Sequence, residues 1–138
     1  MSCLFCEIAA GRVPAAFVYE DELAVAFLDH RPVFAGHVLL VPRTHVITLA
    51  ELPAGEVGPL FQLVQRLELA VERGLEADGT FIAINNIVSQ SVPHLHVHLV
   101  PRRKKDGLKG FFWPRVPYRD EAHLQEIAAK IRSAVPRA

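Results

Sequence analysis

Cysteine is scarce in this chain: Cys3 and Cys6 are the only two among 138 residues. Two thiols at C-x-x-C spacing cannot build a disulfide framework, so the expected compartment is a reducing cytoplasm. An excess of basic charge is missing as well. Fifteen Lys and Arg residues balance fifteen Asp and Glu residues, for a formal net charge of zero. That balance argues against a general nucleic-acid or anionic-membrane surface, which needs a large positive field. No apolar run has bilayer-spanning length, so no membrane association is expected. The first residues, Met1-Ser2-Cys3-Leu4-Phe5-Cys6-Glu7, lack the basic start of a signal peptide. Internal repeats, low-complexity stretches and long linkers are absent too.

What remains is material for one folded domain over 1–138, since 51% of the residues are hydrophobic. Cys3 to Gly11 predicts a short helix ended by glycine. Ala16 to Glu20 and Leu23 to Asp29 predict a hairpin turning at Asp21-Glu22. His37 to Val41 is an apolar strand stopped by Pro42. Leu52 to Ala77 predicts a long helix, with Val57, Leu60, Phe61, Val64, Leu67 and Val71 forming one buried stripe. Thr80 to Asn85 and His94 to Val100 predict two more strands, and Tyr118 to Ser133 a closing helix within a tail over 102–138. The fold class is therefore α+β: a mainly antiparallel sheet of about five strands, one long crossover helix and a C-terminal helix.

The unusual stretch is Ser91-Val92-Pro93-His94-Leu95-His96-Val97-His98-Leu99-Val100-Pro101-Arg102. On a strand over 94–100, alternation places His94, His96 and His98 on one face and Leu95, Val97 and Leu99 on the other. Neighbouring imidazoles then start roughly 6.6 Å apart. A solvated strand face explains one histidine poorly placed in a core pattern, but not three in register. Two chemistries fit: a zinc hydrolase with three histidine ligands, or covalent catalysis in which one imidazole attacks phosphorus. Spacing alone does not separate them. Cys3 and Cys6 are open to three readings, as zinc ligands, a redox pair or packed thiols. No strand precedes them, which disfavours a thioredoxin-like site.

His-Leu-His-Val-His-Leu-Val resembles the signature of the histidine triad (HIT) nucleotide hydrolases and transferases. Gln90-Ser91-Val92 matches as well, as do Cys3-Leu4-Phe5-Cys6, Phe27-Leu28-Asp29-His30-Arg31-Pro32 and the block from Gly36 to His45. These blocks cover residues 3 to about 102 in the family's order. The resemblance implies that His96 attacks the α-phosphorus of a nucleoside 5′-phosphoryl compound, with His98 as phosphate binder or proton donor and His37 supporting them. It also implies that Asp29 takes the ribose hydroxyls and that Asn85, Gln90 and Ser91 contact phosphate. Leu4, Phe5, Ile8, Phe27 and His30 would line the base pocket. Cys3, Cys6, His45 and His94 would hold a structural zinc, and no organic cofactor is implied. Relatives are usually homodimers.

Two departures stand out. Relatives usually carry glycine before the Gln-Ser pair, whereas Asn85 to Gln90 has none. The segment Arg102-Arg103-Lys104-Lys105 offers cations that a long polyphosphate could meet. The expected activity is hydrolysis of a diadenosine polyphosphate, releasing AMP. The alternatives are an adenosine 5′-phosphoramidase, a nucleotidyl transferase, and a nucleotide-binding module with little turnover.

Overall fold

In the computed structural model, residues 3–109 and 114–137 are described. The three aromatic residues Phe111, Phe112 and Trp113, adjacent in the sequence, lie outside them. The chain forms two compact units, residues 1–106 and 107–138. The first contains a five-stranded antiparallel sheet with spatial order β1-β2-β3-β5-β4. The strands are β1 (Phe17–Glu20), β2 (Ala24–Leu28), β3 (Val38–Pro42), β4 (Gly79–Ala83) and β5 (Val97–Arg102). A short helix α1 (Leu4–Ala9) precedes them, and α2 (Ala54–Leu75) crosses between β3 and β4. The expected α+β architecture is present. Among the described residues no helix is long and apolar enough to cross a membrane.

Strand alternation divides the sheet into two covered faces. Ala24, Ala26, Val38, Leu40, Val97 and Leu99 turn to α2, where Leu60, Leu63, Val64, Leu67 and Val71 meet them. Val25, Phe27, Leu39 and Val41 turn the other way and pack against Phe5 and Ile8 of α1. Both faces being buried explains why β2 and β3 read as continuous apolar runs. The stripe on α2 differs from the expected one: Leu63 is buried, whereas Phe61 is 39% exposed. Leu60, Val64, Leu67 and Val71 belong to both sets. They fix the stripe's axis, and residues 61 and 63 flank it on opposite sides at 100° per residue.

The helix ends at Leu75, earlier than expected, with Glu76 in the left-handed region (φ 53°). The strand expected over 94–100 begins instead at Val97 and runs to Arg102. Its ladder with β3 opens at Val97 opposite Leu40. Leu95 donates its N–H instead to the Val46 carbonyl, in the loop beyond β3, at 2.7 Å. Residues 94–96 thus lead into the strand, although Leu95, Val97 and Leu99 still share the α2 face.

In the second unit, α3 spans Glu121–Ala134, three residues later at its start than expected. The Asp120 carboxylate accepts the His123 N–H at 2.8 Å, so the helix begins at its cap.

Candidate functional site

Alternation also builds the site. His37 lies one step before β3 in phase with Leu39 and Val41, and Asp29 follows β2 in phase with Phe27. His96 and His98 are in phase opposite Val97 and Leu99. All four polar residues therefore fall on the α1 face of the sheet. Three of them, Asp29, His96 and His98, border a cleft of ≈ 100 Å³ that opens to solvent, and His37 stands behind His98. Leu4, Phe5, Ile8, Phe27, Asp29 and His30 line the cleft together with Ser91, His96 and His98. Leu28, Leu39 and Val92 also line it and were not anticipated. Leu39 could have been found from its alternation with His37. A larger cavity between α2 and the start of β3 is lined by apolar side chains and glycine alone, with no reactive group.

The expected row of three imidazoles splits. The His96 and His98 rings stand 4.9 Å apart at the cleft. His94 turns to the cysteines. Its ring is fully buried, 4.8 Å from that of His45.

Hydrogen-bond direction assigns the protons at the cleft. A carbonyl can only accept, so the contact between His96 Nδ1 and the His94 carbonyl at 2.7 Å places N–H on Nδ1. His96 Nε2 then keeps its lone pair. A backbone amide can only donate, so the Val33 N–H at 3.1 Å from His37 Nδ1 makes that nitrogen an acceptor. His37 must then carry its proton on Nε2, which lies 3.0 Å from His98 Nδ1. His98 accepts there and holds its own proton on Nε2. Among the described residues, that Nε2 is the one buried side-chain nitrogen or oxygen without a hydrogen-bond partner. Two adjacent rings thus differ in polarity, one with a free lone pair and one with a free N–H.

Burial is the first cause of depressed basicity in His37, His96 and His98. Asp29 opposes it in all three, and the hydrogen bond to His94 opposes it in His96. His98 falls to about 4, because the His96 and His37 rings add to the burial. The rings are neutral at pH 7. Asp29 lies 3.8 Å from His37 Nδ1, beyond a hydrogen bond, and its other oxygen accepts the Arg31 N–H at 2.9 Å. Phe5 meets the His96 ring edge-on at 5.0 Å and Phe27 at 5.5 Å, so α1 braces the His96 ring.

Other expected contacts are arranged differently. The Gln90 amide donates to the Ile47 carbonyl at 2.7 Å, and its oxygen accepts from the Ile87 N–H at 3.2 Å. It shapes the loop and does not line the cleft. Asn85 is half-buried and lies outside the cleft lining. The neighbouring Asn86, which sequence reasoning passed over, accepts the Leu49 N–H at 3.0 Å. The basic segment begins at the far end of β5, four residues beyond His98, roughly 13 Å along a strand. There the Arg103 guanidinium donates to the Leu75 carbonyl at the end of α2, and Arg102 pairs with Asp106.

Cys3 Sγ, Cys6 Sγ, His45 Nδ1 and His94 Nδ1 lie within 4.8 Å of one another and form a candidate metal centre. The His94 Nε2–H donates to the Pro42 carbonyl at 2.8 Å, which leaves Nδ1 as a lone pair facing the thiols. Four of the edges measure 3.1–3.5 Å. A tetrahedral zinc with ordinary bond lengths spans edges of about 3.3–3.8 Å. Burial, the hydrogen bond with Cys3 and the charges of Cys3 and Glu7 push the Cys6 thiol up, and the charge of Arg12 opposes them. The residues fit the metal. A second group of donors, Asp29, His37 and His98, is also close together. Its two rings are already joined by the hydrogen bond described above.

Residues 10–105 match the HIT domain. The chain belongs to this family. It is 33% identical over 135 residues to the adenosine 5′-monophosphoramidase hnt1 of Schizosaccharomyces pombe, covering 96% of this chain and all of that protein. It is 37% identical over 90 residues to the asymmetrical bis(5′-nucleosyl)-tetraphosphatase of the same organism, covering 64% of this chain and 50% of that one. A zinc-bound histidine triad family protein from Mycobacterium smegmatis superimposes with a TM-score of 0.74 at 41% identity, covering 98% and 99% of the two chains.

Proposed function

We propose that this HIT protein hydrolyses a nucleoside 5′-phosphoryl compound, a diadenosine polyphosphate first among them, through a nucleotidyl-histidine at His96. The observation that carries the reading is the opposed polarity of His96 and His98 at the floor of the cleft. His96 Nε2 presents a lone pair, attacks the α-phosphorus and forms the P–N bond as the P–O bond to the leaving group breaks. The His94 carbonyl holds the Nδ1–H, whose bond strengthens as the phosphorylated ring becomes cationic. His98 Nε2–H donates to a phosphoryl oxygen that gains charge in the transition state. Water then displaces the ring, AMP departs and the lone pair returns to Nε2. Asp29 at the mouth receives the ribose hydroxyls, and Leu4, Phe5, Ile8, Phe27 and His30 surround the base. Ser91 donates to phosphate.

Cys3, Cys6, His45 and His94 would hold zinc, which supplies a structural cross-link there. The protein acts as a homodimer in this reading. Support comes from the terminal position of β4 in the sheet and from the exposed Ile82, Phe61 and Leu69 on β4 and α2. Adenosine phosphoramidate is the competing substrate, favoured by the full-length similarity to the fission yeast phosphoramidase.

The test is product chromatography with diadenosine polyphosphates of several lengths and an adenosine phosphoramidate. AMP release by the wild type should fall by about 10³-fold or more in His96→Ala, as for loss of a nucleophile. Turnover that survives the substitution would reject the covalent route, and the preferred substrate decides between the two leaving groups.

A further inference from the structure

The Val33 amide sets the whole proton chain. We propose that Val33 N–H is a tautomer lock: it holds His98 as a hydrogen-bond donor that keeps its proton, so the leaving group departs unprotonated. The inference rests on the assignment of His96 and His98 just given. For His98 to deliver its Nε2 proton and remain neutral, Nδ1 must receive one. The donor in line is His37 Nε2–H, 3.0 Å away. His37 would then need a proton on Nδ1, and that nitrogen already accepts the Val33 N–H at 3.1 Å. Two N–H groups cannot point at each other there. Without replenishment, transfer from His98 would leave an imidazolate anion. The P–O bond therefore breaks with the electron pair, and the negative charge, on the departing oxygen. His98 stabilises that step by donating a hydrogen bond.

The loop that carries the amide is built to hold it. Asp29 Oδ1 accepts the Arg31 N–H, and the Phe34 carbonyl accepts the His37 N–H at 3.0 Å. Gly36 has φ +97°, and a Cβ there would approach Leu75 Cδ1 to 2.2 Å, so glycine is required at the turn. The same loop holds a rival arrangement. Asp29 Oδ2 stands 3.8 Å from His37 Nδ1. If the amide withdrew, an Nδ1–H could point to that carboxylate, and the chain Asp29–His37–His98 would conduct a proton to the cleft. The lock is what selects between a fixed donor and a proton wire.

Two measurements test this. The first is ¹⁵N-resolved NMR of the imidazoles in the free wild-type protein at pH 7. It should find His98 protonated at Nε2 alone and His37 protonated at Nε2 alone. A proton on His37 Nδ1 overturns the lock, whatever the activity proves to be. The second is single-turnover phenol release from the 4-nitrophenyl and phenyl esters of AMP. Without acid assistance, which contributes about 10²–10⁴-fold, the nitrophenyl ester should react about 100-fold faster or more. In Val33→Pro, which removes the N–H and also fixes φ at that position, that ratio should shrink. Near-equal rates for the two esters in the wild type reject the proposal. His37→Gln, whose oxygen can accept from Val33 and whose amide can donate to His98, should keep the wild-type ratio, and His37→Ala should not. Failure of the nucleotidyl-histidine itself would show as missing label on His96, a separate outcome from either result.

Discussion

The cleft histidines carry an energetic signature at the level of single residues. Each is neutral in the fold because burial withdraws the water that would stabilise its charged form. An unfolded histidine titrates near 6.5, while His98 in the fold titrates at about 4. Between those values the unfolded chain binds the proton and the native chain does not. The stability this group contributes is therefore complete above 6.5 and is lost as pH falls toward 4. His98 alone is worth on the order of 2–3 kcal/mol across that window. His37 and His96 act in the same direction. Urea unfolding at pH 7.5 and pH 4.5 should show the loss, and His98→Gln should have a flatter dependence on pH than the wild type. Catalysis follows the same sign. Because the basicity of His96 is lowered, the acid limb of kcat/KM should lie below the ordinary histidine value, and a pH–rate profile reads it directly.

Among the elements, the loop between β4 and β5 shows how a family position can be filled by unfamiliar residues. It has no glycine, yet Ile87 and Ser89 adopt φ of 73° and 62°. A β-branched residue in that region costs roughly 1–2 kcal/mol. Gln90 holds the loop through Ile47 and Ile87, which offsets part of the strain. Ile87 is 65% exposed, so replacing it removes little packing. Ile87→Gly should then stabilise the protein by about 0.5–1 kcal/mol, since glycine's greater freedom in the unfolded chain takes back some of the relief. Thermal unfolding measures it. By contrast, Leu60 is fully buried between α2 and the sheet, and Leu60→Ala should cost about 2–5 kcal/mol.

These elements also show what the sequence could reveal. Period-two alternation predicted the α2 face of β5 and the sheet itself, because alternation survives even where the ladder starts late. It did not reveal that His94 leaves the row, since that depends on where Val46 and Pro42 lie in space. Gln90 has a phosphate donor's chemistry but spends it on the loop, a choice made by the Ile47 carbonyl 43 residues away. The Val33 amide left no signal, because every residue but proline has one.

For the whole molecule, the Cys3, Cys6, His45 and His94 cluster brings together α1, the segment after β3 and the segment that leads into β5. Cys3 and Cys6 flank Phe5 on a six-residue helix, too short to be stable by itself. His45 follows β3, and His94 leads into β5 with its carbonyl on the reactive ring. A metal here would close loops of 39 to 91 residues and hold Phe5 against His96. Such a ligand binds the native chain and stabilises it by mass action, about 2.7 kcal/mol at one hundred times its dissociation constant. The expectation is that the apo protein, prepared with a chelator, melts lower and regains its Tm as zinc is added at one equivalent. Cys3→Ser should remove most of that response. The role of the metal as clamp makes a further distinction. If it only clamps, loss of zinc should lower activity in step with the fraction of α1 released, and tryptic cleavage after Arg12 should report that release. Activity that vanishes before Tm changes would instead assign the metal to the reaction.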